Sequence, residues 1–402
     1  MSLYSLISSG KFDEAKAILE KDFSVFEALK PFEKNGIVQQ SLRTKNFEVL
    51  EILLENDAFT LDLYELDKWY GSFIDAVFVN LPLVINPGGF GPNRPVVEDI
   101  QQVDKESFRF FETVFSKIEN IDETLEGKTM LEYAISKNIP IPALQVIVDK
   151  GCPVNYMDAS ENTLLFRKLQ APLVGWLIGL GLDVNHQNKG METPLLKAID
   201  FNQLEVTKIL LDNGADMNVK DKEGNSIFHI ALVDKVSYEM FELLCEYDQP
   251  DMTAMNSTGS SLLFNYVDRL YSSGPKELEY LDKLLEMGGD IHHVNKTMYG
   301  HEKTPFELAC KKGVEVFERL LKHNTRDINH TDNEGNTILH KVCAEELNYD
   351  QNKAKDLYKI TKLLLNKGAN PSIRNTQDKT PMDLAINDNL KDKIVALLLK
   401  NN

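Results

Sequence analysis

One short phrase returns along this chain with a period of about 33 residues, and a period of that length leaves few folds open. It runs as a capping hydroxyl, an apolar helix, a turn, a second apolar helix and a glycine turn. The clearest copies begin Thr193-Pro194-Leu195-Leu196-Lys197-Ala198, Thr304-Pro305-Phe306-Glu307-Leu308-Ala309 and Thr380-Pro381-Met382-Asp383-Leu384-Ala385. Weaker copies begin at Thr129, Thr163, Ser226, Ser261 and Thr337, so that consecutive starts lie 34, 30, 33, 35, 43, 33 and 43 residues apart. A helical hairpin of this size cannot bury its apolar face alone, so the expected architecture is a stack in which each hairpin covers the next.

The unit from Thr193 to Asn218 shows how the phrase is built. Thr193 is a good N-cap, and Pro194 at the first helical position gives up an N–H that had no partner there. Leu195, Leu196 and Ala198 start an inner helix, and Val206, Ile209, Leu210 and Leu211 supply the apolar stripe of an outer one. Gly214 provides the positive φ that ends it. Thr129…Glu132 and Thr304…Glu307 keep the capping-box spacing. His229 and His340 stand at that place in two other units.

After the outer helices comes a column of similar endings: Val154-Asn155, Asp183-Val184-Asn185, Asp216-Met217-Asn218, Asp327-Ile328-Asn329 and Gly368-Ala369-Asn370. The whole resembles the ankyrin repeat, whose pattern reads T-P-L-H-x-A and then L-L-x-x-G-A-D-x-N, and the resemblance is specific from Thr129 onward. It implies an all-α solenoid of ten or eleven helix-turn-helix units with short β-hairpin-like fingers between them. Before Thr129 the phrase fades, but residues 1–128 still read as degenerate units. Unit starts then fall near 1, 36, 72, 129, 163, 193, 226, 261, 304, 337 and 380, in one continuous domain spanning 1–402.

Charge narrows the partner. Lys and Arg number 44 against 62 Asp and Glu, a formal charge of −18. That field disfavours nucleic acid and anionic membrane, and favours a basic protein surface, although acidity also serves solubility. No run of apolar residues is long enough to cross a bilayer, and Met1-Ser2-Leu3-Tyr4-Ser5 lacks the basic start of a standard secretory signal. Export by another route stays open. Cys152, Cys245, Cys310 and Cys343 are too scattered for a zinc site or a disulfide framework, and read as core thiols of a cytoplasmic protein.

Function is expected where the period is broken, because stacking does not require the breaks. The largest lies at about 80–105, between the helices of the third unit, and carries Pro82, Pro87, Gly88, Gly89, Phe90, Gly91, Pro92, Arg94 and Pro95. Its apolar residues either fold onto the stack or anchor a partner. Smaller insertions fall at 271–275 and 346–353, on one edge, and a lengthened finger at 293–301 on the other.

The resemblance also implies a binding surface made of finger tips and inner helices. Carried over from the motif hydroxyls, its variable positions are Trp69, Lys189, Glu192, Asp200, Phe201, Glu223, Asp234, Asp268, Arg269, His301, Lys303, Lys311, Glu334 and Glu345. Tyr70 beside Trp69, and Phe90 and Arg94 in the insertion, complete the candidate set. The alternative for Trp69 is packing within the fold. No cofactor or metal is expected: adjacent His292 and His293 would point to opposite sides of an extended finger, and His229 and His340 suit bonds between hairpins. No catalytic motif is present. The expectation is a monomeric, non-enzymatic protein-recognition module, an adaptor or inhibitor. A toxin-neutralising or host-directed bacterial protein, an enzyme with a site at the N-terminal insertion, and a structural spacer remain alternatives.

Overall fold

A computed structural model describes residues 2–85, 96–270, 274–296 and 302–401. It divides into two compact units, Met1–Asp216 and Met217–Asn402. Among the described residues the first unit holds six helix pairs and the second five, eleven in all.

In the first unit the pairs are Leu3–Ser8 with Phe12–Lys21, Pro31–Arg43 with Phe47–Glu55, Phe73–Asn80 with Lys105–Ser116, Met130–Ser136 with Ile141–Asp149, the tight turn Leu164–Phe166 with Ala171–Gly179, and Pro194–Asp200 with Leu204–Asp212. Inner elements pack on inner ones, as Leu3–Ser8 does on Pro31–Arg43, and outer helices on outer ones, as Phe12–Lys21 does on Phe47–Glu55. The apolar stripes read from sequence form this core: Ile7, Ile37, Leu50, Ile74, Leu131, Leu144 and Leu210 are wholly buried.

The second unit follows the same plan with Ile227–His229 and Tyr238–Tyr247, Leu262–Arg269 and Pro275–Glu286, Pro305–Ala309 and Val314–Lys322, Ile338–Ala344 and Gln351–Asn366, and Pro381–Ala385 and Asp392–Lys400. Here the inner helix begun at Ile227 widens into a π turn over Ile230–Asp234. That turn takes up an extra residue, and Val236 is left at φ 53° where the chain turns back.

Capping hydroxyls sit where the motif places them. Thr193, Ser226, Ser261, Thr304, Thr337 and Thr380 each accept from the third helical N–H, and Ser72 does so in the degenerate third unit. Gly214, at φ 83°, ends its outer helix in the left-handed region.

Three expectations need correction. The second unit begins at Pro31 rather than near residue 36, because Gly36 lies inside the helix, where the Tyr4 ring fills the space a β-carbon would take. At Thr129 only half the capping box forms: Thr129 accepts from the Glu132 N–H, while the Glu132 carboxylate pairs with Arg167 at 3.0 Å. Thr163 opens only a three-residue turn, without a side-chain cap, because this unit is the shortest at 30 residues.

The truncated turn is met by the base of the large insertion. The Val96 N–H donates to the Gln170 side chain at 3.0 Å, and the Ile141 N–H to the Val97 carbonyl at 2.9 Å. Leu81, Leu83 and Val103 are buried, and Val84 and Val103 form an antiparallel bridge. The described ends of the insertion therefore pack on their own unit. Cys152, Cys310 and Cys343 are buried, with thiol pKa values raised by burial, whereas Cys245 is half-buried and only partly fits the core reading.

Candidate recognition surface

Between helix pairs the chain turns on an Asp or Asn. At Asp158, Asn188, Asp221, Asn256, Asp332 and Asn375 the backbone N–H donates to the carbonyl four residues on. The side-chain oxygen of each accepts from the N–H groups two and four residues on. A single polar side chain thereby fixes a whole finger.

Neighbouring fingers are then bonded to one another. The Lys189 N–H donates to the Ser160 carbonyl at 3.0 Å, Ser257 to Glu223 at 2.8 Å, and Thr376 to Glu334 at 2.9 Å. Side-chain amides run alongside, Asn188 to Asn162, Asn256 to Asn225 and Asn375 to Asn336, at 2.8 to 3.0 Å. Sequence reasoning missed this ladder, though its signal was legible in Asp221-Lys222-Glu223-Gly224-Asn225 and Asp332-Asn333-Glu334-Gly335-Asn336. At two places the repeated Asn after an outer helix joins successive units in another way. Asn185 accepts from the Asp216 N–H and donates to the Gly214 carbonyl, and Asn329 does the same with Asn370 and Gly368.

Against this frame the candidate residues separate. Trp69 leaves the partner-facing set. It is 2% exposed and stacks on the Tyr133 ring at 5.2 Å, because the Tyr133 hydroxyl and the Lys137 ammonium are both drawn to Asp75, at 2.7 Å each. Burial alone would raise the Asp75 carboxyl, but the Lys137 and Tyr133 bonds outweigh it and hold the group below its usual range. Tyr70, beside it, is 75% exposed. Glu192 is turned inward, accepting from Asn188 and Lys197. Lys311 and Lys353 both pair with Glu345, and Lys312 with Asp268.

Lys189, Asp200, Glu223, Asp234 and Glu334 are exposed, while Phe201, Arg269 and Lys303 are half-buried. Desolvation and the neighbouring Asp221 charge push the Asp234 carboxyl up, with Arg269 opposing. Phe90, Arg94 and His301 lie outside the described residues.

Three histidines act within the fold. His229 Nε2 meets the Asn265 amide at 2.8 Å, His340 Nε2 meets the Lys379 carbonyl at 3.1 Å, and His292 Nε2 meets Asn324 Oδ1 at 2.8 Å. In the N-terminal region a cleft between Lys16, Glu48, Glu106 and Arg109 lies open to solvent.

Comparison with known families agrees with this geometry. A family model of three ankyrin repeats matches residues 157–256, and a single-repeat model matches residues 334–376. The chain carries ankyrin repeats. An ankyrin repeat protein of fowlpox virus, FPV230, is 28% identical over 177 residues, 43% of this chain and 86% of its own length. The mimivirus ankyrin repeat protein L371 is 26% identical over 280 residues, 64% of this chain but only 35% of its own length. The solved ankyrin repeat domain of Bcl-3 aligns with 68% of this chain and 99% of its own, at 21% identity and a TM-score of 0.44. Among the described residues of this ankyrin-repeat chain, no helix is long and apolar enough to cross a membrane.

Proposed function

We propose that this ankyrin-repeat chain recognises a partner protein through its finger tips and inner helices, as an adaptor or inhibitor acting as a monomer in the cytoplasm. The observation that carries the reading is the bonding of the fingers. Each is fixed internally by an Asp or Asn and externally by a neighbour through the backbone, yet the side chains of Lys222, Glu223, Asn333, Glu334 and Gln377 are exposed. A surface ordered before it meets its partner loses little entropy on binding. The formal charge of −18 favours a basic partner. Catalysis is the weaker reading, since the described cleft between Lys16, Glu48, Glu106 and Arg109 lies open to solvent and an enzyme needs a site that excludes water.

The test is affinity capture with the purified chain, followed by mass spectrometry of whatever it retains. Asp200→Lys, Glu223→Lys and Asp234→Lys together should weaken capture and flatten its salt dependence, with little change in Tm because all three are exposed. Unchanged capture would remove the acidic face from the reading. The insertion is tested by replacing residues 86–95 with a Gly-Ser linker. Deleting 81–104 would also take away buried Leu81, Leu83 and Val103.

A further inference from the structure

On the inner helix Pro31–Arg43 of the first unit, Pro31, Lys34, Asn35 and Val38 follow the i, i+3, i+4, i+7 spacing and so share one face. With residues between 58 and 72 and the start of the next inner helix, Phe73–Asn80, that face lines a cleft of about 300 Å³. The cleft lies between an inner helix and the finger that follows it, where a recognition surface is expected.

Its floor is apolar. Phe26, Val38 and Phe73 are buried there, and the half-buried Phe59 ring stacks on Phe73 at 3.9 Å. The described lining carries a single charge, Lys34. Its ammonium lies over the Phe26 ring, 5.4 Å from the centroid, and among the described residues no carboxylate is in ion-pair reach of it. The segments outside the described residues contain no Asp or Glu. Of the charges nearby in sequence, Glu33 accepts from the Lys30 N–H, and Glu27, Lys30, Asp67 and Lys68 are exposed outside the described lining. Asn35 and Thr60, both exposed, bring a side-chain amide and a hydroxyl to the same cleft.

We infer that this cleft seats the carboxyl end of a partner polypeptide whose last residue is apolar, the side chain on the aromatic floor and the terminal carboxylate at Lys34. The inference rests on the partner-recognition reading and gives it a chemistry. In the last residue of a chain the carboxylate and the side chain leave the same Cα, so an anion and an apolar group arrive side by side. An Asp or Glu side chain brings the anion without the apolar group, and an internal Leu brings the apolar group without the anion. The Asn35 amide and the Thr60 hydroxyl can exchange hydrogen bonds with the last peptide group, which a fatty acid lacks. The charge-assisted bond from Lys34 is the strong contact. The net charge of −18 still favours a basic body behind that carboxyl end.

The test uses the full chain and three peptides, by ligand-observed NMR titration: acetyl-Gly-Gly-Gly-Leu with a free carboxyl end, the same peptide as its amide, and acetyl-Gly-Gly-Gly-Gly with a free carboxyl end. The free Leu peptide should bind. Each of the others should bind at least about tenfold more weakly, one for want of the charge and one for want of the side chain. Lys34→Gln should bring the free Leu peptide to the level of its amide, and Lys34→Arg should keep the preference. Lys21→Gln, the same charge change on an outer helix, should leave it unaltered. Equal binding of acid and amide, no binding of any peptide, or indifference to Lys34→Gln would overturn the seat. Octanoate binding more tightly than the Leu peptide at the same cleft would assign it to a fatty acid and overturn it too, as would a dimer that Lys34→Gln dissolves, which would assign it to a second copy. Should partner capture persist in the Lys34→Gln chain while acid and amide peptides bind the wild type alike, the seat fails and partner recognition stands. Loss of capture in the Asp200, Glu223 and Asp234 variant, with acid-selective peptide binding intact, supports the seat as a site separate from that face.

Discussion

Acid should loosen the second unit through one side chain, His229, and the effect can be sized. The ring is buried behind Ser226, and the Asn265 amide donates to Nε2, an arrangement that requires a lone pair on that nitrogen. Burial holds its pKa down to about 4, against 6.5 for an ordinary histidine. Between those values the unfolded chain takes up a proton that the folded chain refuses. Stability therefore falls as pH drops below 6.5, and the loss is complete below about 4. At about 1.36 kcal/mol per pKa unit the full effect is roughly 3 kcal/mol, and about 2 kcal/mol is already lost at pH 5.

The measurement is a double difference, because many carboxylates titrate over the same range. Hydrogen exchange of peptides within 226–269, corrected for intrinsic rates, would be followed in the wild type and in His229→Gln at pH 7.5 and pH 5.0. Glutamine keeps an acceptor but cannot titrate, so the wild type's advantage should shrink by about 2 kcal/mol on acidification. An advantage constant to within about 0.5 kcal/mol would show that the ring does not resist protonation, and the burial argument would fall.

Three further perturbations bear on the packing. Gly36→Ala would raise helix propensity by about 1 kcal/mol at an exposed site, but here the new methyl meets the Tyr4 ring. Denaturant melts should show net destabilisation of about 1 kcal/mol or more, turning to a gain when Gly36→Ala is made in a Tyr4→Ala background. Asn329→Ala removes the side chain that bonds both Asn370 and Gly368, and should cost about 1–2 kcal/mol, read as faster exchange of the Asn370 amide. Leu210→Asp puts a charge at a wholly buried position in the first unit and should cost more than about 4 kcal/mol; retention of the wild-type circular dichroism and melting curve would refute the register of that helix.

The fold was legible because the inner and outer helices carry period-3.6 apolar stripes bounded by hydroxyl caps and glycine, local signals that survive in one sequence. The Thr163 unit was misread for a physical reason. Its cap and apolar residues are present, but the unit is too short to complete the inner helix, and the insertion that meets its edge comes from a segment more than sixty residues earlier. Trp69 was ambiguous for a related reason. An aromatic ahead of a helix points inward or outward according to what lies opposite, and here that is Tyr133, held by Asp75. Among candidate surface residues, charge type could be read from sequence, but commitment to an internal partner could not.

That commitment follows a rule. Arg167 pairs with Asp158 at the base of its own finger and with Glu132 on the preceding inner helix. Lys341 does the same with Asp332 and Glu307. In each case the cation stands four residues after the motif Thr, the Asp five before it, and the Glu three after the motif Thr of the preceding unit. Asp158 and Asp332 both hold their protons less firmly than ordinary carboxyls: burial opposes ionisation, and the bonds from Asn162 and Lys341 respectively outweigh it. These three positions therefore serve the joint between hairpins, and their charges are already met. What this leaves at the surface is narrower than the whole acidic face, namely exposed finger side chains such as Lys222, Glu223, Asn333 and Gln377. Those side chains can vary while the Asp, the Asn and the bridging cation hold the scaffold unchanged.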